Sequence, residues 1–240
     1  MLAPGKIKSN SLIHSGIPGL DTLLGGGFPE GRVIVLLGEP GSGKTSISSQ
    51  FLYAGAHGGE GVSLFIGMNE PKVRFIDDAK NFGLDFTNLE EGGKFLYIDA
   101  MNARRAPDLT GKDLDLPDTI KQAIQKYSPK RVALDSTSDL IFRYPKAEDR
   151  LPVILDLLET LQSSAATCLL TVELPSRGES AVIQPEEFLA DGIILLKTSG
   201  AGTRSLQVLK MRGARIDPKP KPYDFAESGV EVYVNEEFLA

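Results

Sequence analysis

The residues whose types and spacing carry the clearest chemistry are Gly38-Glu39-Pro40-Gly41-Ser42-Gly43-Lys44-Thr45, which satisfy G-x-x-x-x-G-K-[ST] at every fixed position. Glycines at 38, 41 and 43 allow a tight turn whose successive N–H groups point inward, and a helix opening at the end of the turn adds its positive pole. Such a loop binds a polyphosphate mainly through backbone, and Gly38 through Ser46 form the candidate cradle. Within it Lys44 is expected to reach the β- and γ-phosphates and Thr45 to ligate Mg²⁺. A second candidate is Asp135, the acid that ends the strand-like run Arg131-Val132-Ala133-Leu134, apolar after its arginine. In an open α/β sheet ligands gather at the carboxyl ends of strands, so an aspartate there can hold Mg²⁺, or a water bound to it, beside Thr45. The two histidines, His14 and His57, lack metal-ligand spacing and receive no role.

A phosphate loop works only between a strand that delivers it and a helix that aims at its ligand. Residues 32–37 form a short β-branched run suited to a buried parallel strand, and residues 45–56 read as the helix. The alternation continues with strands over 62–66, 94–98, 131–135 and 167–172, and helices over 71–82, 116–127 and 147–164. This predicts an α/β fold with a mostly parallel sheet covered on both faces. Leucines at 151, 155, 158 and 161 make a helical stripe assigned to the core. After Asp191 the pattern changes to short alternating runs over 192–197, 205–211, 223–226 and 230–234, read as antiparallel β-hairpins added at the sheet edge. No linker or repeat divides the chain, so a single domain over 1–240 is expected, with residues 1–12 a loose arm. The polar connection 99–115 carries Arg104 and Arg105, which either touch a partner or are simply solvated.

Composition bounds the rest. With 240 residues, 41% hydrophobic and 24% charged, the chain can bury a sizeable core. Its one cysteine, Cys168, lies in an apolar run, which reads as a core position and excludes a disulfide framework; a reducing compartment follows. No apolar stretch approaches the roughly 20 residues of a membrane helix and no leader is recognised, so a cytoplasmic protein is expected. The net charge of −6 gives no general attraction for nucleic acid. Phe142-Arg143-Tyr144-Pro145-Lys146 and residues 176–184 are the segments that could contact a single strand by stacking and phosphate pairing.

Several stretches recur together in one order: Ser15-Gly16-Ile17-Pro18-Gly19-Leu20-Asp21 with the triple glycine at 25–27, the phosphate loop, Phe82-Gly83-Leu84-Asp85 and Ile98-Asp99-Ala100. The strand ending at Asp135, Glu187-Phe188-Leu189-Ala190-Asp191-Gly192 and Leu209-Lys210-Met211-Arg212-Gly213 complete the set. Over residues 13–234 the chain thereby resembles the KaiC-like branch of the RecA superfamily of ATPases. The resemblance implies a RecA-like P-loop core that binds ATP and Mg²⁺ between neighbouring subunits of a homo-oligomer, often a hexameric ring. It also implies a catalytic acid pair after the second strand, and Asn69-Glu70 falls on it with Asn69 in the place of the first acid. A carboxylate near the γ-phosphate can orient and partly deprotonate the attacking water, whereas an amide only orients it. Glu70 is therefore the candidate catalytic acid, with slow turnover expected. The period of two places Lys210 and Arg212 on one face of a strand, and the resemblance implies that this face meets the γ-phosphate of the adjacent subunit. The family's clock protein carries phosphorylated hydroxyls where this chain has Glu187 and Phe188, so that autokinase cycle is not expected. Three readings stand at this point: a slow Mg²⁺-dependent ATPase, an ATP-binding switch or assembly module with little turnover, and a RecA-paralogue that binds single-stranded DNA.

Overall fold

Burial along one strand sets the layering of the whole molecule. In a computed structural model describing residues 11–100, 116–174, 185–199 and 202–237, every residue of Val33–Gly38 is buried. Val33, Val35 and Leu37 enter one apolar cluster, and Ile34 and Leu36 enter another on the opposite face. Successive side chains of a strand point to opposite faces, so an unbroken apolar run belongs where both faces are covered.

The chain opens with β1 (Leu12–Ile13), α1 (Leu20–Leu23) and β2 (Phe28–Pro29), a small ribbon in which β1 and β2 pair antiparallel. The central strand is β3 (Val33–Gly38), followed by α2 (Lys44–His57), β4 (Ser63–Gly67), α3 (Lys72–Lys80), α4 (Thr87–Glu91) and β5 (Phe95–Asp99). Then come α5 (Leu116–Tyr127), β6 (Arg131–Asp135), a 3-10 turn at Thr137–Asp139, α6 (Leu140–Arg143), α7 (Ala147–Ser163), β7 (Thr167–Glu173) and α8 (Pro185–Leu189). The last strands are β8 (Gly192–Thr198), β9 (Arg204–Met211), β10 (Lys221–Ala226) and β11 (Gly229–Val232).

The main sheet has nine strands in the order β11-β10-β9-β8-β3-β7-β6-β4-β5. From β8 to β5 the pairs are parallel, whereas β9, β10 and β11 continue the sheet antiparallel. The α/β class and the mostly parallel sheet are thus as expected, with one refinement. The run after Asp191 does not simply decorate an edge: β8 pairs parallel with β3 and makes it an interior strand flanked by β7 and β8. A run of four apolar residues, Ile193 to Leu196, suits that covered position.

One core assignment is corrected. Leu151 and Leu155 are 43% and 42% exposed, whereas Leu158 and Leu161 are buried as expected, together with Ile154 and Leu157. Those four have the i, i+3, i+4, i+7 spacing of one face; Leu155 sits about 100° around the helix from Ile154, and Leu151 lies a turn ahead of the buried face. Cys168 is buried as expected, and burial pushes its thiol up to about 12, which leaves it an inert core residue. No helix among the described residues is long and apolar enough to cross a membrane. Arg104, Arg105, the first ten residues and 175–184 lie outside the described residues.

Candidate functional site

The phosphate loop leaves β3 at Gly38 and enters α2 at Lys44. Gly41 and Gly43 adopt φ of 77° and 88°, the left-handed region that only glycine enters without strain. At Gly43 a side chain would also collide with Phe225, since an added Cβ would lie 2.8 Å from its ring. The Lys44 ammonium crosses the loop and donates to the carbonyls of Gly38 at 2.9 Å and Glu39 at 3.1 Å. Burial lowers its pKa, while the carboxylates of Glu173, Asp135 and Asp139 act in the opposite direction.

β3 and β6 are separated in the sheet only by β7, so Asp135 at the end of β6 comes beside the start of α2. Its Oδ2 accepts a 2.5 Å hydrogen bond from the Thr45 hydroxyl, and its Oδ1 accepts from the Thr171 hydroxyl on β7. Both carboxylate oxygens are therefore oriented, one by the first turn of α2 and one by β7. A hydroxyl and a carboxylate oxygen in contact at the foot of a phosphate loop form an all-oxygen donor set, which suits Mg²⁺ rather than a softer metal.

These groups border a cleft of about 460 Å³ lined by the loop, Lys44, Thr45, Ser46, Asp135, Glu173, Phe82 and Phe225. A second cavity of about 430 Å³ shares Thr45, Ser46 and Phe82 with it and reaches Glu70. Glu70 is half-buried and Asn69 exposed. Burial raises the Glu70 pKa, with Asp78 and Asp135 adding to the rise and Arg74 opposing it. Its backbone carbonyl accepts a 2.6 Å hydrogen bond from the Tyr97 phenol.

The structure does not bring Lys210 and Arg212 to this loop. Lys210 pairs with Ile193, which pairs with Val35, so it sits about 10 Å along the strand from Gly38, toward the opposite end of the sheet. Its ammonium donates to the Ala190 carbonyl at 2.6 Å. Arg212 lies beyond the end of β9 and is 59% exposed, with a guanidinium nitrogen 3.7 Å from Asp191. The β8–β9 register shifts at Ile193/Ile194, so Leu209 bulges out just before this pair, while Lys210 and Met211 pair in turn with Ile193 and Gly192. Phe142, in one of the segments considered for nucleic acid, is 80% exposed, and Ile141 just before that segment is 48% exposed.

Sequence reasoning missed the aromatic wall and its ties. Phe82 and Phe225 stack at 5.9 Å between centroids, with the Arg204 guanidinium 4.9 Å from the Phe225 ring. Tyr223 donates to the Ser42 carbonyl at 2.6 Å, and Gln50 on α2 exchanges hydrogen bonds with Val230 while also donating to Ser228. The β10–β11 hairpin is thereby fastened to the phosphate loop and its helix. Only the local turn signals of that hairpin were available in the sequence.

A parallel sheet with a complete phosphate loop on an interior strand, and an acid two strands away touching the loop's threonine, defines a P-loop nucleotide-binding protein of RecA-like fold. More narrowly, residues 13–237 match the family described as ATPase: KaiC, and the chain belongs to that family. It is 34% identical over 234 residues to a UPF0273 protein of Methanocaldococcus jannaschii, an alignment covering 92% of this chain and 96% of that one. It is 32% identical over 235 residues to the circadian clock oscillator protein KaiC of Picosynechococcus, covering 95% of this chain but 46% of KaiC, so it spans about half the length of that relative. The crystal structure of a KaiC-like protein from Pyrococcus horikoshii superposes with a TM-score of 0.81 at 30% identity, over 93% of this chain and 99% of that one. Membership of this ATPase family implies nucleotide binding.

Proposed function

We propose that this protein is a Mg²⁺-dependent ATPase of low turnover whose active sites are completed between subunits of a homo-oligomer. The observation that carries the reading is the contact of Thr45 with Asp135 at the foot of an intact phosphate loop. The loop amides and Lys44 hold the triphosphate, and Thr45 and Asp135 hold the metal ion. Mg²⁺ supplies charge neutralisation and alignment of the phosphate oxygens. Phe82 and Phe225 offer aromatic surface where the base of a nucleotide anchored on the loop would lie. Glu70, facing the adjoining cavity, positions the attacking water and accepts its proton. As the one carboxylate of the Asn69-Glu70 dipeptide, it supports slow turnover rather than fast.

Lys210 and Arg212 point to an intersubunit site because they are too far from their own loop to serve it, while Arg212 is exposed. In this reading they stabilise charge on the phosphates held by a neighbouring copy. The experiment is the steady-state ATP hydrolysis rate per subunit with Mg²⁺ over a wide range of protein concentration, with Lys44→Ala as the blank. A rate that climbs with concentration and vanishes in the blank supports the reading. Mixing Lys44→Ala subunits with Lys210→Ala/Arg212→Ala subunits should then restore activity that neither has alone.

A second reading is favoured by Asn69: an ATP-binding switch in which occupancy sets assembly or partner affinity. It requires different affinity for two states, because binding that does not discriminate between states shifts nothing. Wild-type protein that binds ATP, hydrolyses no faster than the blank at any concentration, and changes its oligomeric state with nucleotide would replace the first reading with this one.

A further inference from the structure

Glu173 ends β7 directly opposite Gly38, the first residue of the phosphate loop, in the parallel β3–β7 register. Its backbone is held from two sides. Its own N–H donates to the Ser138 hydroxyl at 2.8 Å, and the next N–H, of Leu174, donates to the Gly38 carbonyl at 3.1 Å. That same carbonyl accepts the Lys44 ammonium at 2.9 Å. The Glu173 side chain lines the cleft together with Lys44, Thr45 and Asp135. Among the described residues its carboxylate forms no ion pair, unlike Glu60, Glu90 or Asp191. Asp135, by contrast, has both oxygens occupied by threonine hydroxyls, and Glu70 faces the neighbouring cavity.

The cleft therefore presents one cation, Lys44, to two anions: a terminal phosphate and the exposed Glu173 carboxylate, whose backbone is pinned beside the loop. A triphosphate brings one more charged phosphate into the cleft than a diphosphate does, so a carboxylate lining that cleft repels the longer nucleotide more than the shorter. We propose that Glu173 sets the balance between nucleoside triphosphate and diphosphate, holding down the preference for the triphosphate. Occupancy of the site then follows the ratio of the two nucleotides in solution instead of saturating with the triphosphate. The position of Glu173 as the Coulombic neighbour that most raises the Lys44 pKa agrees with this placement. The inference rests on the nucleotide-binding reading above.

The test is a pair of dissociation constants, for ADP and for a non-hydrolysable imido analogue of ATP, both with Mg²⁺, measured on wild type, Glu173→Gln, Glu173→Asp and Lys44→Ala. Glu173→Gln should raise the preference for the triphosphate analogue over ADP by about tenfold at low ionic strength, mainly by tightening the analogue. The gain should shrink as salt is added, and Glu173→Asp should stay near wild type. A structural role for Glu173 would weaken both nucleotides together and would not be rescued by salt. A ratio that is unchanged or lowered in Glu173→Gln, with wild type binding both nucleotides, overturns the inference alone. Wild type that binds neither nucleotide any better than Lys44→Ala overturns the nucleotide-binding reading, and this inference with it.

Discussion

The Tyr97 phenol on β5 reaches across Gly67 at the end of β4 to donate a 2.6 Å hydrogen bond to the backbone carbonyl of Glu70. Gly67 leaves the space for it, since a Cβ there would lie 2.0 Å from the phenolic oxygen. Burial, with the Glu70, Asp99 and Asp135 carboxylates nearby, holds the phenol protonated far above the ordinary tyrosine range, so it remains a donor at any working pH. Tyr97→Phe removes the bond and keeps the ring against Phe65 and Phe75. We expect a stability loss of about 1 kcal/mol and a several-fold lower hydrolysis rate, with nucleotide affinity retained. Thermal melts and titrations with a fluorescent nucleotide separate the two effects.

Glu70 gives a pH prediction with a definite sign. Its folded-state pKa is raised above the ordinary 4.5, so the folded protein retains a proton that the unfolded chain has already released. Stability associated with this group is present below pH 4.5 and is lost as pH rises through the raised value. Glu70→Gln should therefore melt higher than wild type at neutral pH, by less than about 1 kcal/mol given partial solvent screening, and the difference should close in acid. Hydrolysis shows the complementary trend. The wild-type rate should fall on the acid side at a pH above that of an ordinary glutamate, and the small residual rate of Glu70→Gln should lack that limb.

Asp135 orients two hydroxyls with its two oxygens. In Asp135→Asn one of them must face an amide N–H₂ instead of an acceptor, and the negative charge beside Thr45 is gone. The Mg²⁺ concentration for half-maximal hydrolysis should rise by about tenfold or more, with ADP binding in the absence of Mg²⁺ changed little. Equal loss in both measurements would count against a metal role.

Among the described residues Arg131 is the most tightly enclosed charge, at 1% exposure. It forks onto both oxygens of Glu60 at 2.7 and 2.8 Å, donates to the Phe51 carbonyl at 2.7 Å, and lies 4.7 Å from the Phe51 ring centre. Glu60 is partly exposed and can be solvated when its partner is lost, which limits the damage. Arg131→Met should cost about 2 kcal/mol, a fall in melting temperature of roughly 4–8 °C, without altering nucleotide preference in the protein that remains folded.

The parts legible in the sequence were those whose physics is local. Eight consecutive residues specify the phosphate loop, and three apolar residues followed by an acid mark the end of β6 at Asp135. The parallel sheet was legible because strand and helix periods alternate along the chain. What escaped depends on partners far apart in sequence. Tyr223 and Phe225 read as ordinary strand residues, and only the bond from Tyr223 to Ser42 and the packing of Phe225 on Gly43 make them walls of the site. Glu173 follows the run 167–172 in sequence, but its place opposite Gly38 depends on which strand lies next to β3. Lys210 and Arg212 illustrate the converse: a period-two rule describes them locally, but their distance from their own phosphate loop depends on the register of β9 against β8 and of β8 against β3.

The hairpin tie leads to a prediction about binding strength. Tyr223→Phe frees the Ser42 carbonyl from its only described side-chain donor, and Gln50→Ala releases the turn at Ser228 and Val230. Each should weaken nucleotide binding about three- to tenfold through a less ordered loop, and the double substitution should cost less than the sum, because both act on one hairpin.

That tie also has a consequence for the order in which the protein is made. The loop is synthesised early, yet the residue that fastens Ser42 lies 181 positions later, so the ribosome must extend the chain past β10 before the loop gains its second wall. During elongation the nascent protein holds a glycine-rich turn without its aromatic neighbour, and long-range closures of this kind come late in folding. Any help from nucleotide that depends on the Phe225 wall can then come only after β10 has been made.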